Sequence, residues 1–355
     1  MNQKCTKPKV LIVGPGRTAR TGITAVLLAY ERSDIWIKYH CEWLETYDDV
    51  SNWRKIRAAL RALLFAPNLM LKTDIVHIHA AHNTSFYRKT IFFLLAKLLR
   101  KKVIVHLHAP SPKPFARRSL SLVSRYVLNW ADSVVALSDI WAKEIRKIAP
   151  NAKITVIPNP CCVPSLAIES RDKTKPIILF AGKLEDRKGF CDLIRAMPIV
   201  LSKVPNAKLL FAGHGDIERG KRLAQLMGIG SSVQFLGWLK NSQKAEVFRQ
   251  ASVFCLPSYG EGVPMAMLEA IAYQVPVVVT PVGGIPDVVS DRYNGLFVKP
   301  GKDVEIAQAI IDILTNHKLR IALAENAYQT VRQKFSPDIV SKQVGSLYEK
   351  LSKKR

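Results

Sequence analysis

Two glutamates with seven residues between them, Glu261 and Glu269, stand in the stretch Val253 to Gly284, VFCLPSYGEGVPMAMLEAIAYQVPVVVTPVGG. The apolar run Val253 to Leu256 ends at Pro257 and enters a small-residue turn, Ser258 to Gly262. A helix is predicted from Pro264 to Tyr273, because proline at the first helical position has its φ already set and no N–H to lose. The apolar run Val275 to Thr280 then reads as a strand. Glu269 lies inside the apolar helix MAMLEAIA, where a carboxylate is costly to bury unpartnered. It must reach an edge or a ligand. The helix start, Gly262, Val263, Pro264 and Met265, offers free backbone N–H groups that can hold an anion. Two exposed acids on an ordinary strand–loop–helix unit would give the same pattern.

Other chemistry-bearing residues fall at predicted strand ends. Lys183, Arg187 and Lys188 lie between Gly182 and Gly189, just before a helix, an arrangement that suits a phosphate cradle or a solvated turn of charges. DIVHIHA (Asp74 to Ala80) and KVIVHLHA (Lys102 to Ala109) are buried-type strands, each carrying a histidine near its C-terminal end. In an open α/β sheet that end is the ligand edge, so His79 and His108 are candidates for one crevice. His77 and His106, one step earlier on the same faces, could equally be packed residues. The first loop, GPGRTARTG, has glycines at 14, 16 and 22, so the dinucleotide fingerprint is not met and NAD is not supported.

Alternating strands and helices must position these groups. Lys9 to Val13 reads as a first strand and Ile23 to Glu31 as a helix; the run VLIVG is too short for a signal segment. Ala131 to Ile145 and Ala152 to Pro160 add further elements. Periodicity is lost from Cys161 to Lys175. A second strand–helix alternation then runs from Pro176. The fold class is therefore α/β, with two facing Rossmann-like domains and a cleft between them. The expected boundaries are 1–160 for the first Rossmann-like domain, 161–175 for a linker, 176–334 for the second, and 335–355 for a helix packing across the interdomain region.

The 355 residues carry 53 Lys plus Arg against 28 Asp plus Glu, a formal charge of +25 concentrated in the first half. Such a field favours polyanions or an anionic membrane surface. No interleaved basic and aromatic platform or binding module points to nucleic acid. Three basic segments with apolar residues, Asn52 to Leu64, Phe86 to Lys102, and Lys113 to Tyr126, suit contact with anionic headgroups. For the first of these, a stripe of Trp53, Ile56, Leu60, Leu63 and Leu64 packed on the domain is the ordinary expectation. Six cysteines without CxxC spacing suggest neither zinc nor disulfides, and a reducing cytoplasm fits.

Across nearly the whole chain the sequence resembles the family-four retaining glycosyltransferases of the GT-B fold. The resemblance rests on GKLEDRKG, AGHGD, FLGWL, PSYGEGVPMAMLEA, GGIPDVV and NGLFV in that order. It implies that Glu261 contacts the hydroxyls of the transferred sugar and Glu269 the nucleotide ribose. Lys183 and Lys188 would bind the diphosphate, with Arg187 beside them. His108 would touch the donor sugar and reacting centre, and Gly22 would let backbone approach a phosphate or the acceptor. Departures are Lys183 for the usual Arg, which turns a bidentate clamp into a point charge, Ala109 after the histidine, Asp287 for Glu, and Thr21 before Gly22.

The implied reaction moves a sugar, with retention, from a UDP- or GDP-sugar to a lipid-linked saccharide or other glycan of the cell envelope. No Asp-x-Asp motif occurs, so no metal and no other cofactor is expected. The expected location is cytoplasmic, peripheral on the inner membrane face. The alternatives are a same-fold sugar-nucleotide epimerase or phosphorylase, or a non-catalytic basic protein that binds membrane or nucleic acid.

Overall fold

The computed structural model describes residues 7–47, 52–81, 84–108, 121–164 and 176–353. Ala109, Lys113, Arg117, Arg118 and most of the expected linker lie outside these. The chain divides into two units, Met1–Cys161 with Lys334–Arg355, and Cys162–Gln333.

The first unit opens with β1 (Val10–Gly14), α1 (Gly22–Glu31), α2 (Asp34–Lys38) and β2 (Glu42–Glu45). Next come α3 (Asn52–Leu71), β3 (Ile75–Ala80), α4 (Thr84–Leu98) and β4 (Lys102–Leu107). α5 (Ser121–Trp130), β5 (Ser133–Ala136), α6 (Asp139–Ile148) and β6 (Ile154–Val156) follow. All six strands are parallel, in the order β2-β1-β3-β4-β5-β6. Parallel strands need helical crossovers that cover both faces, which is why VLIVG and IVHIHA are buried throughout.

The second unit runs through β7 (Ile177–Ala181), α7 (Phe190–Lys203), β8 (Lys208–Ala212), α8 (Ile217–Leu226) and β9 (Val233–Gly237). α9 (Asn241–Gln250), β10 (Val253–Leu256), α10 (Met265–Ala272) and β11 (Val277–Val279) come next. It closes with β12 (Leu296–Phe297), α11 (Asp303–Thr315) and α12 (His317–Lys334). This sheet too is parallel, ordered β12-β11-β10-β7-β8-β9.

One element departs from the sequence reading. α3 was expected to end near Leu64 but continues through Pro67 to Leu71. An internal proline costs about 3 kcal/mol, and the core burial of Ala62, Ala66 and Met70 offsets it. These three residues, not the large apolar stripe, form the buried face. Trp53, Leu60, Leu64 and Leu71 are exposed at 82%, 62%, 75% and 63%.

The final helix, α13 (Pro337–Ser352), belongs to the first unit, where its buried face packs on α1 and α2. Tyr348 is fully buried, edge-on to Tyr39 with ring centroids 5.2 Å apart. The Tyr39 hydroxyl donates to Glu349 at 2.9 Å, and Lys7 reaches the same carboxylate at 2.6 Å. The hydrogen bonds from Lys7 and Tyr39 pull Glu349 down to about 2. Among the described residues no helix is long and apolar enough to cross a membrane.

Candidate active site

In the second sheet β7 and β10 are neighbours whose connections leave in opposite directions, to β8 on one side and β11 on the other. The loops at the C-terminal ends of two such strands diverge and leave a crevice, the usual ligand position in an open α/β sheet. The Lys183 to Lys188 loop follows β7, and the Pro257 to Pro264 loop follows β10.

Close backbone packing locks them together. A single 3-10 turn, Asp186–Lys188, precedes Gly189, whose φ of +69° is left-handed and whose Cβ would lie 2.1 Å from the Pro257 carbonyl oxygen. The Tyr259 N–H donates to the Arg187 carbonyl at 2.8 Å, and Arg187 Nη1 donates to the Gly260 carbonyl at 2.6 Å. On the other side Gly283, at φ +58°, backs directly onto the Glu261 carbonyl, where a Cβ would stand at 1.6 Å.

Glu261 is 4% exposed, not the solvated acid of the plainer sequence reading. A buried carboxylate has to be paired and hydrogen-bonded, and three groups do this. The Ser258 hydroxyl donates at 2.9 Å, Lys188 Nζ lies at 2.5 Å, and Arg187 Nη1 at 3.5 Å. Arg187 also reaches Glu185 at 2.5 Å, and Lys183 meets that carboxylate at 3.1 Å. Burial would raise Glu185, but Arg187 and Lys183 outweigh it and hold the carboxyl below its usual value. The result is a row of three cations and two carboxylates, net positive. Ser258 and Glu185 were not singled out in the sequence, although a hydroxyl three residues before a loop glutamate is the available signal.

Glu269 sits apart from this row. It is half-buried on α10 and pairs with Lys244 of α9 at 2.6 Å. Pro264 is the N-cap of α10, with ψ 121°, rather than its first helical residue, and no side chain caps the helix. Gly262, Val263 and Pro264 are buried and Met265 is half-buried. The Gly262 carbonyl accepts from Gly284 N–H at 2.8 Å.

In the first unit four histidines share one face of β3 and β4. His77 Nδ1 contacts the Tyr348 hydroxyl at 2.7 Å and its Nε2 contacts His106 Nδ1 at 3.3 Å. His79 Nδ1 lies 3.0 Å from His108 Nε2. His77, His79 and His106 are buried, so of this face only His108, half-buried just past the end of β4, is open to a ligand. His79 stands behind it. Burial pushes His77 down to about 3, and burial with Lys89 does the same for His108; His79 and His106 also fall well below the usual value. All four rings are therefore neutral near pH 7. Gly22 is the exposed first residue of α1, and the preceding Thr21 side chain accepts from Thr24 N–H. Its φ is not positive, so what it offers is the missing side chain rather than an unusual backbone.

Residues 19–161 match the family profile described as "Glycosyltransferase Family 4", and residues 165–330 match "Glycosyl transferases group 1". An uncharacterised glycosyltransferase of Methanocaldococcus jannaschii is 33% identical over 186 residues, which are 52% of this chain and 47% of that protein. A phosphatidyl-myo-inositol mannosyltransferase of Mycobacterium leprae is 28% identical over 240 residues, 65% of this chain and 63% of that protein. The matched stretch thus spans about half to three fifths of these relatives. Anabaena HepE, solved with UDP and glucose, superposes with a TM-score of 0.78 at 16% identity, over 97% of this chain and 100% of that one. With one profile on each unit and each unit built on a parallel six-stranded sheet, the chain belongs to the glycosyltransferases and has the GT-B fold of two Rossmann-like domains.

Proposed function

We propose that this protein transfers a sugar, with retention of anomeric configuration and without a metal, from a UDP- or GDP-sugar to a lipid-linked saccharide or other glycan acceptor of cell-envelope polysaccharide or lipopolysaccharide synthesis. The observation that carries this reading is the net-positive row at the β7/β10 switch point. Cleavage of the sugar–diphosphate bond leaves negative charge on the departing phosphate, and cations already in place stabilise charge as it develops. Lys183, Arg187 and Lys188 take the diphosphate, aided by the uncapped start of α10 at Gly262 to Met265. Glu261 meets the sugar hydroxyls and Glu269 the ribose. His108, neutral near pH 7, contacts the donor sugar as a hydrogen-bonding group. HepE bound to UDP and glucose supports a nucleotide-sugar donor, and the mannosyltransferase relative, by its name, supports a lipid-borne acceptor.

The test is a panel of UDP- and GDP-sugars, followed by donor hydrolysis, mass spectrometry of lipid-linked products, NMR of the new anomeric centre, and a chelator control. Transfer with retention, undiminished by chelator, is expected. Epimerised donor, phosphorolysis, or no turnover with any donor would overturn the reading. Lys188→Ala is expected to raise the KM for donor about 10- to 100-fold with a smaller change in kcat, since one charge-assisted contact is lost. Steady-state kinetics at varied donor concentration check it.

The exposed apolar residues of α3 sit on a helix that also exposes Arg57 and Arg61. This supports docking of the first unit on an anionic membrane, at the cytoplasmic face. The full chain is expected to co-sediment with vesicles containing anionic lipid and to be released as salt is raised to about 0.5 M, where screening is strong. Equal binding to neutral vesicles, or none to anionic ones, would count against it.

A further inference from the structure

The first sheet has its own switch point, between β1 and β3, whose connections leave toward β2 and β4. Tyr47, just past β2, is brought to this edge by its carbonyl, which accepts from Gly16 N–H at 2.7 Å. From α4, which follows β3, come two adjacent cations, Arg88 and Lys89. The Arg88 guanidinium lies over the Tyr47 ring with its carbon 4.9 Å from the centroid. Its Nε is buried with no hydrogen-bond partner. Lys89 is 3% exposed, and its ammonium donates to the His79 carbonyl near the end of β3. Among the described residues neither cation pairs with a carboxylate, whereas Arg17 in the β1–α1 loop takes both Glu31 and Glu45.

Burial lowers both groups, and the charge of Arg88 further lowers Lys89, to about 7. Two like charges packed together, Lys89 buried and Arg88 half-buried, with no counter-charge among the described residues, are costly. They are retained where a ligand supplies the opposite charge. Tyr47 covers one face of the guanidinium and leaves its planar edge of donors for two oxygens of one oxyanion. Lys89 adds a point charge beside the sheet edge where His108 stands.

We propose that Arg88 and Lys89 form an anion subsite in the first unit that takes a phosphate group carried by the acceptor. The assignment of this phosphate to the acceptor rests on the glycosyl-transfer reading. The shared chemistry is a phosphate oxyanion on a lipid, borne either by an isoprenoid diphosphate or by a phospholipid headgroup.

The test is calorimetric titration of the full chain carrying Lys183→Ala and Lys188→Ala, which removes two cations of the second-unit cradle from competition. The two probes are geranyl diphosphate and dihexanoyl phosphatidylglycerol below its micellar concentration. At least one should bind, and whichever does identifies the source. Adding Arg88→Gln should weaken that binding about tenfold or more, the usual effect of losing a hydrogen bond to a charged group. Arg88→Lys, which keeps the charge but not the planar fork, should weaken it by a smaller factor; should Arg88→Gln fail to fold, that loss decides. Binding of neither probe, or unchanged binding in the folded Arg88 variants, would overturn the subsite. The titration needs no turnover, so failure of sugar transfer is a separate result.

Discussion

Glu261→Ala is expected to lower sugar transfer by about 10²- to 10³-fold, the usual effect of removing one polar group aimed at a reacting centre. Donor binding is expected to hold or tighten. Removing the carboxylate deletes the counter-charge that lies 2.5 Å from Lys188 and 3.5 Å from Arg187. Both cations are then freer to meet the diphosphate. The loss should therefore fall on kcat and not on KM, the reverse of Lys188→Ala. Glu261→Gln keeps an acceptor for the Ser258 hydroxyl and separates lost charge from lost packing. Near-normal kcat in Glu261→Ala would remove this residue from the reaction and with it the role of the Ser258 to Gly262 turn.

The second large effect is acid lability. His77 and His108 titrate near 3 in the folded chain, and His79 and His106 also fall well below 6.5, because burial disfavours the imidazolium. In the unfolded chain all four return toward 6.5. Below that value the unfolded chain binds more protons than the folded one, so stability present above pH 6.5 is lost as pH falls toward 3. The slope is about 1.4 kcal/mol per pH unit for each ring. Four rings together give roughly 5 kcal/mol per unit, so two units approach the whole stability of an ordinary domain. Lys89, pushed down to about 7, acts in the same direction over its own range, and burial keeps Tyr30 and Tyr348 neutral throughout. Five of the six tryptophans, at 36, 43, 53, 130 and 141, lie in the first unit, so their fluorescence reports on it. Urea titrations at about pH 7.5, 6.5 and 5.5 should show the midpoint falling steeply across the last interval. A flat profile would mean that the folded rings accept protons.

The alternation of apolar runs with helical stretches was enough to read two parallel sheets, because strands buried on both faces are continuous runs of Val, Ile and Leu. The loops at the β7/β10 edge were also legible, since glycine and charge cluster there. What could not be read was pairing over long sequence separation. Nothing near Glu261 in the chain announces Lys188, and nothing near Glu269 announces Lys244. The fate of α3 was hidden for a different reason. Its large apolar residues match a packed stripe in period, but the core accepted Ala62, Ala66 and Met70 instead. His77 and His106 stayed undecided because a buried ring and a ligand-facing ring occupy the same alternating positions, and the partner that settles it, Tyr348, is 271 residues from His77.

That distance bears on how the protein is made. The first unit is discontinuous: its last helix, α13, is translated only after all of residues 162–333. During synthesis the second unit can complete its sheet from contiguous chain, while His77 and Tyr39 wait with an uncovered surface. The unit that begins first is therefore the last to close, and a chain stalled before Tyr348 would leave the histidine face open to water and to other nascent chains.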